Sequence, residues 1–162
     1  MISNLRSKIE IVNELSVSEF IALRQMVNFQ SLQEEQAKLI LEKTTYIAAA
    51  RYEGKCIGIT RLIYDYGTDA YITDVIVNPE YQGLGIGKML VEDVLNFIRK
   101  NSFSNVKVAC SLYANKGKEL FYKKLGFEDL PNDKYGHGML LEIGDGTAEN
   151  LCYMRSDETP IN

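Results

Sequence analysis

Val77-Asn78-Pro79-Glu80-Tyr81-Gln82-Gly83-Leu84-Gly85-Ile86-Gly87-Lys88 joins a strand-like run to a helix-like run. Ahead of it, Tyr71 to Val77 is rich in β-branched and aromatic residues. Behind it, Lys88 to Lys100 places Leu90, Val94, Phe97 and Ile98 on one helical face. Glycines at 83, 85 and 87 let the main chain turn tightly and approach a ligand with no side chain in the way. The helix that follows starts with amide N–H groups lacking internal partners, and its dipole favours an anion there. Strand, glycine turn and helix start together form a cradle for a phosphorylated ligand. The plainer reading is a β-to-α connection with no ligand. Two better-known glycine motifs do not fit. The spacing is not the G-x-G-x-x-G of dinucleotide sites, and Lys88 is followed by Met89, not by the Ser or Thr of a P-loop.

A second segment has its own pattern. Val106 to Leu112 reads as a strand, followed by Asn115-Lys116-Gly117-Lys118-Glu119-Leu120-Phe121-Tyr122-Lys123-Lys124-Leu125-Gly126-Phe127. Gln82 to Gly87 resembles Gln/Arg-x-x-Gly-x-Gly/Ala, the pyrophosphate loop of the GNAT N-acetyltransferase superfamily, and the V-x-P-x-Y approach to it matches as well. Phe-Tyr-x-x-x-Gly-Phe, with an Asn seven residues before the Tyr, resembles the second GNAT motif. The likeness spans roughly residues 45 to 143, and it leans towards the bacterial small-amine and arylalkylamine branch. It implies a mixed α/β fold, with a mostly antiparallel twisted sheet flanked by helices.

Net charge is −4 with no basic tract, which argues against nucleic acid as a partner. Cys56, Cys110 and Cys152 lack Cys-x-x-Cys spacing, and with a single histidine they suggest no metal site. Reduced thiols, an N-terminus without a signal-peptide core and no long apolar run lead to the expectation of a soluble cytoplasmic protein with no membrane partner.

One domain is expected over residues 1–143, with 144–162 as a C-terminal tail whose Leu151-Cys152-Tyr153-Met154 docks on the sheet edge. The expected elements are a strand Lys8 to Asn13, a helix Ser18 to Asn28, and a second helix to Lys43 opened by the capping-box pattern Ser31-Leu32-Gln33-Glu34. Strands Tyr46 to Tyr52 and Cys56 to Tyr64 follow, joined by Glu53-Gly54-Lys55. After the two motifs come a polar turn at Asp133 to His137 and a last strand, Met139 to Ile143.

The resemblance implies acetyl transfer from acetyl-CoA to a primary amine of a small molecule, by direct attack in a ternary complex. It assigns Gln82, Gly83, Leu84, Gly85, Ile86, Gly87 and Lys88 to the coenzyme pyrophosphate, and Val75, Ile76 and Val77 to the pantetheine arm as an added strand would pair. Asn115 and Lys118 belong to the same surface, Asn115 either near the pantetheine amides or as a helix N-cap. Lys88 is either a phosphate contact or a solvated first-turn residue.

Tyr122 is the expected proton donor to the leaving thiolate, the alternative being a packing role. No general base is evident, because the positions where some members carry Glu or His are Tyr71 and Thr73. Asp74 is the one acid inside that strand. It acts through water, binds the ammonium of the acceptor, or is a structural acid. Regular alternation turns it away from Tyr71 and Thr73. The alternatives to a small-amine enzyme are a protein lysine or N-terminal acetyltransferase and a non-catalytic acyl-CoA sensor, and a homodimer is left open.

Overall fold

The computed structural model describes residues 5–144. The chain divides into two units, Met1–Phe127 and Glu128–Asn162. In the first, strand β1 (Glu10–Val12) is followed by helices α1 (Val17–Met26) and α2 (Glu34–Lys43). Strands β2 (Tyr46–Tyr52), β3 (Lys55–Tyr64) and β4 (Asp69–Val77) lead to helix α3 (Ile86–Asn101), then to β5 (Ala109–Ser111) and the short helix α4 (Glu119–Lys123). The sheet order is β1-β2-β3-β4-β5, antiparallel through β4 and parallel between β4 and β5. This is the mixed, mostly antiparallel sheet with flanking helices that the motifs imply.

Each face of the sheet buries its own core. On one side Ile86, Leu90, Val91, Val94 and Ile98 of α3 pack on Ala48, Ala50, Leu62 and Ile72. On the other, Phe20 and Leu23 of α1 and Ala37 of α2 cover Ala49, Ile59 and Ile76. Full burial of such a side chain is worth about 1.5–3 kcal/mol, so α3 is held far more firmly by its apolar stripe than by helix propensity. Gly58 belongs to this packing. A Cβ there would meet the Ile76 carbonyl at 2.9 Å and Leu90 at 3.2 Å.

The capping box forms on a different helix from the one expected. Glu34 is the first residue of α2, with Gln33 before it and no side-chain cap. In the loop before it, the Arg24 guanidinium donates to the Gln30 carbonyl at 3.2 Å. The box is at α1 instead. There Ser16 Oγ accepts from the Glu19 N–H at 3.2 Å and Glu19 Oε2 accepts from the Ser16 N–H at 3.0 Å. Glu19 also takes both arms of Arg51, at 2.8 and 3.1 Å, which ties α1 to β2. That pairing, with help from Ser16, holds the Glu19 carboxyl down at about 2 against an ordinary 4.5.

Strand β4 is broken by a bulge. Ile76 pairs with Ile59 and Thr73 with Arg61, so Asp74 and Val75 together oppose the single residue Thr60. Asp74 takes a left-handed φ of 48°, a conformation costing about 1–2 kcal/mol for a residue with a Cβ. The bulge reverses the faces. Ile72 lies in the core under α3, whereas Ile76, an even number of residues later, lies in the core under α1 and α2. The alternation expected for Asp74 therefore does not hold at this point in the strand.

Asp74 is buried, and its carboxylate sits between two guanidinium groups. Oδ1 accepts from Arg24 of α1, and Oδ2 accepts from Arg61 Nε at 2.7 Å. Arg61 donates to Thr44 Oγ1 at 2.7 Å. The Phe20 ring lies 5.4 Å from Arg61 and 5.6 Å from Arg24, within cation–π range.

In the second unit the polar turn is organised by Asn132, whose Oδ1 accepts from the N–H groups of Lys134 and Tyr135 at 3.0 and 2.8 Å. The strand expected at Met139 to Ile143 is absent, and these residues are irregular and exposed. Strand-forming composition still needs a partner edge to satisfy its main-chain groups, and among the described residues the sheet consists of β1 to β5 without this run. The expected docking of Leu151 to Met154 lies outside the described residues.

Removing the charge of Asp74 leaves two part-buried guanidiniums facing each other, so Asp74→Asn should cost on the order of 3 kcal/mol. A urea-denaturation midpoint close to wild type would show that the clamp is dispensable. The Glu19 pairing sets a pH signature. Because its folded-state value is depressed, its contribution is present above about pH 4.5 and is lost as pH falls towards 2. Glu19→Gln should therefore lie below wild type at neutral pH and converge with it at the acid end of that window, read from urea midpoints across pH.

Candidate functional site: an open strand edge ending in an anion cradle

Strand β5 pairs with β4 only at Asp69, Ala70 and Tyr71. Beyond Tyr71 the two strands part, and a cleft of about 580 Å³ opens between them. Its walls are Tyr71 to Val77 on one side and Leu112, Tyr113, Asn115, Lys118, Phe121 and Tyr122 on the other. Its end is the turn Gln82 to Lys88, and Val27 and Phe29 also line it. The main chain of Val75, Ile76 and Val77 faces this gap, while the Ile76 side chain is buried in the core.

A short 3₁₀ turn, Pro79–Tyr81, leads from β4 into the loop, its start capped by Asn78 Oδ1 accepting from the Glu80 N–H at 3.0 Å. Gly83 and Gly85 have φ of 79° and 81°, which side-chain-bearing residues rarely adopt. Gly85 is the N-cap of α3. The first-turn N–H groups of Ile86, Gly87 and Lys88 therefore emerge at the glycine turn with no partner inside the helix. A Cβ on Gly83 would stand in open space, so the missing side chain leaves room above the turn. Positive helix end, free amides and a bare surface fit a diphosphate.

Several residues read from the motif contribute differently from expectation. The Ile86 side chain is buried under the sheet and offers only its main chain. Gly87 also serves packing, since a Cβ there would meet the Phe121 ring at 3.3 Å. The Gln82 side chain turns back and donates to the Val77 carbonyl at 3.0 Å, and Leu84 packs on the core. Lys88 lies 3.6 Å from Glu92, as an exposed pair one helical turn apart. Asn115 is not a helix cap. Its carbonyl accepts from the Lys118 N–H at 2.9 Å, and Lys118 is the residue preceding α4.

Tyr122 faces the cleft from α4, its ring held edge-on between Phe121 and Phe127, at 4.9 and 5.9 Å between centroids. Burial, with a smaller effect from Tyr71, pushes its phenol above the ordinary value of 10. Tyr71 meets Tyr113 edge-on across the cleft at 5.6 Å and is likewise raised by burial. Asp74 is the one acid among the lining residues. It was a candidate for binding the acceptor or relaying its proton, but both of its oxygens are taken by Arg24 and Arg61. Sequence reasoning passed over both arginines. The signal available was a lone acid inside an apolar strand, which requires a buried cation somewhere.

The GNAT acetyltransferase family model matches residues 9–127. Among curated proteins, the chain is 42% identical over 79 residues to GCN5-related N-acetyltransferase 2, chloroplastic, of Arabidopsis thaliana, covering 49% of this chain and 29% of that protein. It is 31% identical over 105 residues to serotonin N-acetyltransferase 2, chloroplastic, of Oryza sativa subsp. japonica, covering 62% of this chain and 50% of the relative. The chain thus spans half or less of the length of these relatives. A probable acetyltransferase from meticillin-resistant Staphylococcus aureus superposes with a TM-score of 0.72 at 25% identity, covering 83% of this chain and 99% of that one. A bulged, half-open strand running into a glycine cradle and a family match over residues 9–127 lead to one conclusion: this chain belongs to the GNAT acetyltransferase family.

Proposed function

We propose that this protein transfers the acetyl group of acetyl-CoA to the primary amine of a small molecule, by direct attack in a ternary complex. The observation carrying this reading is the free edge of β4 from Thr73 to Val77, which leads straight into the cradle at Gly83 and Gly85 with Tyr122 across the gap. Bound acetyl-CoA would supply the thioester acyl group. The amides of Gly83 to Lys88 would hold its diphosphate, and the main chain of Val75 to Val77 would pair with the pantetheine amides. Asn115 and Lys118, on the far wall, would meet the same arm.

Tyr122 holds the proton for the leaving thiolate. Its phenol is pushed up from 10 by burial, so it stays protonated through neutral pH and can donate as negative charge develops on sulfur. We assign Asp74 to positioning, because both of its carboxylate oxygens are occupied by Arg24 and Arg61. With no other carboxylate in the lining, the attacking amine loses its proton to water. The acceptor is then best served by an apolar or aromatic body, for which Phe29, Tyr71 and Tyr113 provide faces. The rice relative, named for serotonin, points the same way.

Two measurements test this. CoA and acetyl-CoA should raise the melting temperature well above the effect of NAD or ATP at equal concentration. An equal shift by ATP would remove the coenzyme assignment. A panel of aromatic amines, polyamines and lysine peptides, assayed with acetyl-CoA, should show turnover with the aromatic amines. Turnover confined to the peptides would transfer the reading to a protein acetyltransferase, and none at all would favour an acyl-CoA sensor. Tyr122→Phe keeps the ring, so CoA affinity should hold while kcat drops on the order of 10²-fold. An unchanged kcat with chemistry rate-limiting would leave Tyr122 a packing role only.

A further inference from the structure

The cradle is built of neutral amides, yet a diphosphate carries negative charge that main-chain dipoles only partly balance. None of the loop's own side chains is positioned to complete that balance. Gln82 is neutral and bonded to Val77, and Lys88 pairs with Glu92 along the helix. The missing charge comes from elsewhere in the chain. Where a Cβ on Gly85 would stand, the three nearest atoms all belong to the Arg6 guanidinium, at 3.5, 3.6 and 3.9 Å.

Arg6 is held there by its neighbours. Leu5 packs on the core beneath α3, and Ile9 is buried in it. The Arg6 carbonyl accepts from the Ile9 N–H at 3.3 Å, and the Leu5 carbonyl accepts from the Lys8 N–H at 3.0 Å, closing a turn around the arginine. Among the described residues no carboxylate pairs with Arg6. With no carboxylate partner among the described residues, the guanidinium beside the glycine turn is placed to meet an anion there. Its planar donors can take two phosphate oxygens at once, which the point charge of a lysine does not do.

Resting on the coenzyme reading above, we propose that Arg6 is a diphosphate-binding residue, brought to the loop by the segment ahead of β1 and completing the site from outside both sequence motifs. The test is calorimetric titration of wild type, Arg6→Ala and Arg6→Lys with CoA, with dephospho-CoA, which keeps the diphosphate but lacks the ribose phosphate, and with pantetheine, which has no phosphate. Arg6→Ala should weaken CoA and dephospho-CoA equally, by about tenfold, as expected for one exposed charge-assisted contact. Pantetheine should bind all three proteins alike. Arg6→Lys should recover part of the loss, and the ligand-free melting temperature should not move.

Unchanged or tighter CoA binding by Arg6→Ala would overturn the assignment, making the guanidinium a bystander or an obstacle. A loss confined to CoA and absent with dephospho-CoA would overturn it too, moving the contact to the ribose phosphate. Failure of the wild-type protein to bind CoA would instead sink the underlying reading, and the role of Arg6 with it.

Discussion

The buried carboxylate of Asp74, shared by Arg24 and Arg61, is the interaction on which the working half of this fold depends. The bulge it occupies imposes a left-handed residue inside a strand, a strain of about 1–2 kcal/mol. Losing one member of a buried ion cluster costs about 3–5 kcal/mol, because the remaining charge is left uncompensated. The three partners lie on α1, β3 and β4, and Thr44 beyond α2 joins through Arg61. One network therefore sets the helix layer, the bulge and the sheet relative to one another.

The bulge accounts for the cleft. An extra residue in one strand increases local twist and interrupts the ladder. Here β4 keeps β5 only as far as Tyr71 and then diverges, which frees main-chain donors and acceptors on the side where a ligand can pair. Unpaired strand edges are ordinarily a hazard for aggregation. This one is short, lies at the base of a cleft and ends in a glycine turn, so it is open to an extended small molecule and closed to another sheet.

The three glycines of the loop have separate duties. Gly83 and Gly85 hold backbone angles that other residues resist; Gly83 leaves open space above the turn, and Gly85 leaves room for the Arg6 guanidinium. Gly87 lets Phe121 approach the start of α3, which fixes the helix carrying Tyr122 against the helix that ends the cradle. The glycine turn and the phenol of Tyr122 are thereby coupled through one ring contact. The same packing desolvates Tyr122 and raises its phenol above the ordinary value.

Local signals in the chain were enough for the strands β2 to β4, helix α3 with its Leu90 and Val94 stripe, and the glycine turn between them. Each is encoded by periodicity or by a residue with special backbone freedom, and such signals survive without tertiary context. Tyr122 and the glycine positions were legible for the same reason, through short motifs. What the tertiary structure decided is whatever depends on residues far apart in sequence. Asp74 read as one more alternating strand position until the register with β3 placed two residues against Thr60. Its partners are 50 and 13 positions away, and no spacing rule finds them. Ser31 and Glu34 had the pattern of a cap, but the helix begins only at Glu34, with Gln33 before it. Met139 to Ile143 had strand-forming residues, yet among the described residues they join no strand of the sheet. Arg6, nearly eighty residues ahead of Gly85, is beside it only because Leu5 and Ile9 are drawn into the core. Propensity acts over a few residues, whereas burial and charge pairing act through space, and the site of this protein is assembled by the second kind of force.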